Sequence, residues 1–252
     1  SQTSSVFSEG KWVKMTFTDH GVYKIDHTTL SNMGFDVNNI DPRNLAIFGL
    51  PGGMLPQANS SYESLLLQEL AIVVQGEADS MFNTEDYVLF YVDKINQQTF
   101  NGTTYEVSKN LYDDHIHYYL SVRNNSGKRV DSVPHIQADL PVVDYYDKII
   151  SHEEDLKNIL GSGREWYGEK FDLQTPIPFS FPLENLKIDQ DIEVSFTGVS
   201  QSFISSSIDL KLNGQNLGTL NFNSIPDARY GIKGNEKSAS FNMPASQLSS
   251  DT

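Results

Sequence analysis

The sequence predicts a mainly β protein made of two β-rich units, with few short helices and with the second unit a jelly-roll-like antiparallel sandwich. Three observations lead to this prediction. Extended segments recur at short spacing with no long helix between them, aromatic residues make up 11% of the chain, and turn-forming residues separate the segments. Strands that follow one another in this way usually pair antiparallel.

The first unit is predicted to open with two strands and a short helix. Residues 11–18 (KWVKMTFT) alternate apolar and polar side chains, as a half-buried strand does, and residues 22–25 (VYKI) are expected to return as the second strand of a hairpin. Asp26 can cap the short helix that follows, and Gly34 can end that helix in the left-handed conformation.

Four more strands are predicted in this unit. Residues 44–49 (NLAIFG) form a short one, whereas 69–74 (ELAIVV) and 87–92 (YVLFYV) are continuous apolar runs, typical of central strands that are buried on both faces. Residues 115–122 (HIHYYLSV) alternate, so the apolar side chains of this strand are expected to share one face.

The boundary between the units is predicted near residue 145, which gives a first domain of residues 1–145 and a second of residues 146–252. A short connecting helix is expected at about 151–160, because apolar residues recur there at helical spacing. No closing motif precedes Thr252, so we expect the sandwich to be truncated there. Strands are predicted at 175–182, 191–198, 207–214, 217–222 and 238–243, with a hairpin turn at 212–218.

Composition and charge limit the possible partners. The chain has 33 acidic residues against 18 lysines and arginines, a formal net charge of −15, and such a surface repels the phosphates of nucleic acids. We therefore expect no nucleic-acid partner. No apolar run approaches the roughly 18 residues that a membrane-spanning helix needs, so no membrane-spanning segment is predicted.

The sequence contains no complete catalytic motif. There is no cysteine, which excludes disulfides, thiolate metal ligands and a cysteine nucleophile within these residues. No G-x-S-x-G elbow and no glycine-rich phosphate loop occur. His152-Glu153 begins a pattern like the zinc-protease H-E-x-x-H, but Leu156 occupies the place of the second histidine. We predict no catalytic residue and no cofactor.

Two metal hypotheses stay open beside simpler interpretations. His115 and His117 project from one strand face, but Asp113 or Asp114 would have to bend round to supply a third ligand, so strand-face histidines are the preferred interpretation. The loop at 76–87 carries oxygen ligands at the short spacing that calcium needs, although an acidic hairpin loop is preferred. The calcium candidates are Asp79, Asn83, Glu85 and Asp86.

The densest stretch of the chain is GSGREWYGEKFD, residues 161–172. Its glycines allow a sharp turn, Arg164 can form a forked pair with a carboxylate, and Trp166 can fill an apolar groove beside that pair. An arginine beside aromatic residues is typical of an interface anchor, so we predict an interface or interdomain clasp, with a ligand pocket as the alternative. We expect Arg164 and Trp166 to be substantially buried between the two units. The predicted clasp residues are Arg164, Glu165, Trp166, Tyr167 and Glu169.

Several blocks of the sequence resemble one known family. GKWVKMTFTDHGVYKIDHTTLSNMGF (10–35) is similar to the opening of the PorU-like sortases of the type IX secretion system, in which a GKWYKI…GVYKI…L…MG pattern recurs. The blocks cover most of the first 172 residues, and the remainder resembles the family mainly in its β-rich pattern. The similarity continues, in the order of the family, at 41–56, 76–92, 110–120 and 162–172.

The resemblance implies a role within a longer parent protein. PorU-like sortases are surface-located, gingipain-type cysteine peptidases of Bacteroidetes, exported through the periplasm, that remove the C-terminal sorting domain from secreted cargo and attach the cargo to lipopolysaccharide. Their cysteine and histidine pair lies in a later peptidase domain, so the resemblance implies that this chain is the non-catalytic N-terminal region. Its implied partners are the C-terminal peptidase domain of the parent chain and secretion-system subunits or cargo, at the cell surface outside the outer membrane.

Two other functions are left open. A glycan-binding β-sandwich would use some of the 12 tyrosines as stacking surfaces, whereas an inhibitory pro-domain would act on a gingipain-like peptidase. Aromatic residues that line an exposed face would favour the first alternative. Inhibition of an isolated peptidase domain would favour the second.

Overall fold

The computed structural model describes residues 6–8, 10–50, 52–55, 67–132, 142–159, 161, 163, 165–172 and 175–248. The chain divides into two compact units, Ser1–Asp139 and Leu140–Thr252. The fold is mainly β, with several antiparallel sheets and few short helices, which confirms the predicted fold class. No helix in the described ranges is long and apolar enough to cross a membrane.

The first unit contains nine strands and one α-helix in its described part. They are β1 (Trp12–Phe17), β2 (Gly21–Asp26), α1 (His27–Asn32), β3 (Leu45–Gly49), β4 (Gln68–Glu69), β5 (Val73–Gln75), β6 (Tyr87–Val92), β7 (Gln97–Phe100), β8 (Tyr105–Ser108) and β9 (Ile116–Val122). Single turns of 3₁₀ helix lie at Val6–Ser8, Val37–Asn39, Pro42–Asn44 and Glu77–Asp79.

Two antiparallel sheets and one separate hairpin organise these strands. The first sheet has the order β1-β9-β3-β4, the second has the order β2-β6-β5, and β7 pairs with β8 alone. β9 is paired on both sides, with Tyr118 opposite Met15 of β1 and Leu120 opposite Ile47 of β3. The first sheet therefore joins segments that lie far apart along the chain.

The predicted hairpin between the first two strands is wrong. β1 pairs with β9, whereas β2 pairs with β6, where Lys24 lies opposite Leu89. Residues 18–20 instead carry the chain from one sheet to the other. Met15 of β1 and Ile25 of β2 are buried in the same apolar cluster, so the two strands contribute to one core from different sheets.

The run at 69–74 forms two short strands rather than one central strand. β4 joins the first sheet and β5 joins the second, so the chain changes sheets within the run. The backbone between them bonds elsewhere, because Leu70 N–H donates to Ile47 O at 2.8 Å and Ile72 N–H donates to Lys128 O at 3.2 Å. These bonds to two different segments end the strand that the apolar run predicts.

Neither predicted apolar strand is buried on both faces. β5 buries Val74 but exposes Val73, and β6 buries Val88 and Val92 but exposes Tyr91. β6 is nevertheless the central strand of its sheet, as predicted. The two-faced burial is wrong because each sheet packs its apolar face on the core and leaves large side chains on its other face.

Aromatic rings hold the two sheets of the first unit together. Phe17, Tyr23, Phe90 and Tyr118 lie with ring centroids 4.5 to 6.2 Å apart, mostly edge to face. Each large apolar side chain that leaves water contributes about 1.5–3 kcal/mol to folding. Gly49 is required beside this cluster, since a Cβ there would overlap the ring of Tyr118.

The short helix α1 follows its predicted ends. The Asp26 carboxylate accepts a hydrogen bond from Thr29 N–H at 2.8 Å, and this bond is the main cause that lowers the pKa of Asp26. At the other end Gly34 has φ of +82°, a left-handed conformation that glycine adopts without strain. Leu30 is fully buried, which anchors the helix to the core.

Arg129 links three segments of the first unit with one side chain. Its guanidinium donates to the carbonyl oxygens of Pro42 (3.0 Å), Arg43 (2.8 Å) and Leu45 (3.1 Å). It also forms an ion pair with Glu77, with 2.8 Å between Nε and Oε2. The 3₁₀ turn before β3 and the loop after β5 are therefore fixed to the segment that contains Arg129.

The second unit contains four strands in its described part: β10 (Asp191–Ser200), β11 (Ser206–Leu212), β12 (Gln215–Phe222) and β13 (Asn235–Pro244). β10 pairs with β13, β11 pairs with β12, and a 3₁₀ turn follows at Ala245–Gln247. Asn213 and Gly214 have φ of 46° and 83°, which gives the tight hairpin turn that was predicted there. The jelly-roll order of the strands stays a prediction.

The β10–β13 ladder has a polar face and an apolar face. On the exposed face Ser195 and Ser240 share a hydrogen bond of 2.7 Å, and Thr197 and Ser238 share one of 2.8 Å. The opposite face contributes the half-buried or buried side chains Ile192, Val194, Phe196, Phe241 and Met243. Apolar and polar side chains thus alternate along both strands.

The predicted connecting helix at 151–160 is wrong. Residues 142–159 contain no helix, and Lys157 instead forms an antiparallel bridge with Tyr167. Leu156 N–H and Lys157 N–H both donate to Tyr167 O, at 3.0 and 2.8 Å, so they are not available for helical bonds. Leu156 is exposed, and a short helix without a packed apolar face is unstable in water. Residues 175–182 also lie outside any strand.

We expect Arg129→Ala to destabilise the first unit by about 2–4 kcal/mol, because it leaves several carbonyls and the Glu77 carboxylate without their charged donor. Urea unfolding followed by Trp12 emission, in a Trp166→Phe background, measures this. Lys128→Ala is the matched control, and we expect it to change stability by less than about 0.5 kcal/mol. Equal midpoints for the two variants would contradict the role assigned to Arg129.

Candidate functional site

The predicted clasp residues lie in a strap that is fastened within the second unit. We define the strap as residues 152–158 and 165–169, two stretches that meet at the bridge between Lys157 and Tyr167. Asn158 Nδ2 donates to Glu165 O at 2.9 Å, which adds a second bond between the two stretches. The strap therefore resembles a short two-stranded ribbon rather than a helix and loop.

Two side chains of the strap make further contacts. Tyr167 donates its hydroxyl proton to Glu236 Oε2 of β13 at 2.9 Å. His152 Nε2 lies 2.7 Å from Glu169 Oε1, and the His152 ring also packs on Phe179 with centroids 4.9 Å apart. Tyr167 thus attaches the strap to the β10–β13 ladder, while Glu169 joins its two stretches.

The expected burial of the clasp is not observed for Trp166. Trp166 is 45% exposed, so its ring is not packed as an anchor in a closed groove. Arg164 lies outside the described residues. The interdomain role of Arg164, Glu165, Trp166, Tyr167 and Glu169 stays a prediction.

Hydrogen bonds of the strap shift the pKa values of Tyr167 and Glu169. Burial, and next the hydrogen bond to Glu236, raise the pKa of Tyr167 to about 12, so its hydroxyl stays protonated near neutral pH. The hydrogen bond from His152 is the main cause that lowers the pKa of Glu169. Both carboxylates are therefore acceptors in fixed contacts, which suits a structural attachment.

His117 of β9 and His115, which directly precedes that strand, share one carboxylate. Asp113 Oδ1 lies 3.0 Å from His115 Nδ1, and Asp113 Oδ2 lies 2.9 Å from His117 Nε2. The two rings are parallel within 9°, and Thr16 Oγ1 lies 3.2 Å from His117 Nδ1. Hydrogen bonds from His117 and then His115 lower the pKa of Asp113 to about 2. Asp114 is not part of this group of contacts.

The calcium candidates make hydrogen bonds that close their own loop. Asp79 accepts from Met81 N–H at 3.0 Å and from Asn83 Nδ2 at 2.9 Å. The buried Asp86 accepts from Asn83 N–H at 2.7 Å. Gly76 permits the close approach of Asp86, because a Cβ at that position would overlap its carboxylate.

These carboxylates do not converge on a common point with Glu85. Across the described ranges, no group of three or more histidine, aspartate or glutamate side chains is placed to hold a metal ion. The calcium hypothesis for Asp79, Asn83, Glu85 and Asp86 stays a prediction without a ligand cluster to support it.

A polar groove of about 450 Å³ lies in the first unit, where the loop at 52–55 meets the β7–β8 hairpin. Its lining includes Asp93, Asn96, Gln97 and Tyr105. No sequence motif predicts this groove, because its walls come from segments about 40 residues apart that only the fold brings together. Glutamine and asparagine in a hairpin are also too common to indicate a site.

Among known proteins, similarity to this chain is found at the level of the fold. No family model matches the chain, and no curated protein matches it. Its fold is similar to that of a region within a much longer solved chain. One similar structure is described as the crystal structure of dimeric latent PorU from Porphyromonas gingivalis. The TM-score is 0.64 and the sequence identity is 24%, over 95% of this chain and 22% of that chain.

The similarity to PorU shows the fold. The matched region spans 22% of the PorU chain, so it represents one part of that protein. It agrees with the resemblance seen in the sequence blocks, since both relate this chain to PorU. What PorU does as a whole belongs to a chain several times longer than this one.

The titration of Tyr167 tests the attachment of the strap. Because its folded pKa of about 12 exceeds the ordinary value of 10.0, its contribution to stability is complete below pH 10 and is lost as pH rises toward 12. We expect Glu236→Gln to lower the pKa of Tyr167, since the neighbouring negative charge is removed. Nuclear magnetic resonance of ring-labelled tyrosine measures the Tyr167 midpoint in the parent chain and in the variant. An unchanged Tyr167 midpoint in the Glu236→Gln variant would disprove the contact.

Asp113 has the opposite pH dependence. Its folded pKa of about 2 lies below the ordinary 3.8, so its contribution is complete above pH 4 and is lost as pH falls through 2. Carboxyl-carbon resonances report the titration directly. We expect His117→Gln to move the Asp113 midpoint upward and Asp114→Asn to leave it nearly unchanged. An unshifted midpoint in the His117→Gln variant would show that the histidine does not hold the carboxylate.

Proposed function

We propose that this chain is the non-catalytic N-terminal scaffold of a PorU-like sortase. In this proposal it holds the peptidase domain of the parent chain and presents secretion-system subunits or cargo to it. The observation that carries the proposal is the backbone similarity to PorU over 95% of this chain, which supports the family resemblance of the ordered sequence blocks. The parent would act at the cell surface, removing C-terminal sorting domains and attaching cargo to lipopolysaccharide.

The amino-acid composition favours a scaffold role over a catalytic one. A gingipain-type peptidase attacks the peptide carbonyl with a cysteine thiolate, and this chain contains no cysteine. The side chains of His115, His117 and His152 contact Asp113, Thr16, Glu169 and Phe179, which fix the three rings in place. The nucleophile of such a parent would have to come from outside these residues.

An exposed apolar surface at one end of the second unit supports a role in binding partners. The loops at 201–205 and 223–234 are hydrogen-bonded to each other, since Gln201 Nε2 donates to Lys233 O at 2.9 Å. Apolar side chains gathered on a fixed surface commonly mark a protein interface. The loops carry Phe203, Ile204, Tyr230 and Ile232, which are 62% to 90% exposed, and we call these four residues the apolar loop patch.

We assign the apolar loop patch to the peptidase domain of the parent chain. A domain on the same chain is present at high effective concentration, which adds to the affinity that a small patch of this kind provides by itself. Interdomain surfaces of one chain are also typically modest in area and partly polar. The lysine and arginine that flank Tyr230 and Ile232 in sequence fit such a mixed surface.

The test uses this chain and the remainder of a PorU-like parent as two separate polypeptides. We expect Phe203→Ser with Ile204→Ser to weaken their association about tenfold or more, because truncating an interface anchor commonly costs about 2 kcal/mol. Biolayer interferometry measures the association. Ile188→Ser is the matched control, since Ile188 is similarly exposed in the same unit but outside the patch.

Cargo processing by the reconstituted pair distinguishes the alternatives. We expect the sorting domain to be removed by the pair and not by this chain alone, as followed by mass spectrometry of the cargo. Cleavage by the isolated chain would disprove the scaffold proposal. Faster cleavage by the peptidase when this chain is absent would instead indicate the inhibitory pro-domain.

A further inference from the structure

The polar groove of the first unit points to a ligand that the scaffold role does not require. We propose that this groove binds an uncharged saccharide, which stacks on Tyr105 and exchanges hydrogen bonds with the side chains of Asp93, Asn96, Gln97 and Gln98. The groove is about 450 Å³, which accommodates one or two sugar rings.

Asp93 is the fixed acceptor at the base of the groove. Its Oδ2 accepts from Gly52 N–H at 3.1 Å and its Oδ1 accepts from Lys94 N–H at 2.8 Å. Its own backbone N–H donates to the hydroxyl of Tyr118, a buried core residue, at 3.1 Å. The carboxylate is thereby oriented by the core, and each oxygen keeps a further lone pair for a ligand hydroxyl.

Three amide side chains are each held at one end and open at the other. Gln97 Nε2 donates to Gly52 O at 3.1 Å, and Asn96 Oδ1 accepts from Asn110 N–H at 3.0 Å. Gln98 Oε1 accepts from Lys94 Nζ at 2.7 Å.

The opposite end of each amide faces no protein partner in the described part of the chain. Gln97 Oε1 is an open acceptor, whereas Asn96 Nδ2 and Gln98 Nε2 are open donors. One bond per side chain fixes its orientation, so a ligand meets groups that have already lost much of their rotational freedom. Preorganised polar groups of this kind give binding at a lower entropic cost.

Two glycines allow the loop at 52–55 to form the second wall. A Cβ on Gly52 would lie 2.6 Å from Lys94 O, and a Cβ on Gly53 would overlap the Gln97 side chain. Gly53 also has φ of +94°, which other residues rarely adopt. The close approach is therefore built into the sequence and holds Gln97 against the loop.

An aromatic face completes the groove. Tyr105 lines it, is 45% exposed, and packs against the exposed Phe100 with ring centroids 4.8 Å apart. Tyrosine offers both a flat apolar ring and a hydroxyl that exchanges hydrogen bonds. A sugar ring presents the same combination, since its C–H groups gather on one face and its hydroxyls project from the rim.

The charge and the mixed polarity of the groove select an uncharged polyhydroxyl ligand. The side chains of Asp93 and Lys94 contribute one charge of each sign, so the groove offers no cluster of cations for a phosphate. An apolar ligand would leave the amide and carboxylate groups without hydrogen bonds, which is unfavourable. Each sugar hydroxyl is both donor and acceptor, which matches the open donors and acceptors along the wall.

The test is a titration of the isotope-labelled full chain with maltoheptaose, cellohexaose and a mannan-derived oligosaccharide, at concentrations up to the millimolar range. We expect at least one of them to shift the backbone amides of residues 93–105. Tyr105→Ala and Gln97→Ala should each weaken its binding about tenfold, which corresponds to the loss of one stacking or hydrogen-bonded contact. Tyr146→Ala, at an exposed tyrosine of the other unit, should change it less than about twofold.

Three results would overturn the saccharide assignment. The first is that none of the oligosaccharides shifts these amides. The second is that both groove variants, with native amide spectra outside the groove, bind as tightly as the parent chain. The third is that inorganic phosphate or an extended peptide binds at the β7–β8 hairpin more tightly than every sugar. The association of the two polypeptides through the apolar loop patch is measured separately, so either idea can fail alone.

Discussion

The first unit depends on the contacts of a single guanidinium. Arg129 donates to the carbonyls of Pro42, Arg43 and Leu45 and pairs with Glu77, so it holds the entry to β3 against the loop that follows β5. Those two elements belong to different sheets. Lysine could not replace it, because one ammonium cannot direct donors to several separated oxygens in a plane. The aromatic core packs between the same two sheets that Arg129 connects.

Local elements of this protein follow from its sequence, whereas their partners do not. The Asp26 cap, the left-handed Gly34 and the Asn213-Gly214 turn are local features, decided by side chains within a few residues. The pairing of β1 with β9 is decided by contacts between residues about a hundred positions apart. The alternation of apolar and polar side chains in a strand does not indicate which other strand it pairs with. The predicted helix at 151–160 failed for a related reason, because its amides bond to Tyr167 from another segment.

In the candidate sites, too, the contacts between distant segments could not be predicted from the sequence. The clasp predicted from the residue types at 165–169 stays a prediction, and Glu236, the partner of Tyr167, could not be found from spacing because β13 lies far along the chain. The polar groove was missed because it needs the loop at 52–55 and the β7–β8 hairpin together. Hydrophobic patterning identifies buried faces and gives no information on half-exposed amides, which is where this groove obtains its chemistry.

The hydroxyl pairs on the β10–β13 ladder affect the register in which these two strands pair. Ser195 faces Ser240 and Thr197 faces Ser238. Sliding one strand by two residues would keep every side chain on its own face, so burial alone opposes such an error weakly. Sliding in one direction would keep one hydroxyl pair, Thr197 with Ser240, and would place Ser195 opposite Asn242 and Ser238 opposite Val199. Sliding in the other direction would keep Ser195 with Ser238 and would place Thr197 and Ser240 opposite glutamates. The two hydroxyl pairs therefore favour the native register of β10 and β13 over registers that are shifted by two residues.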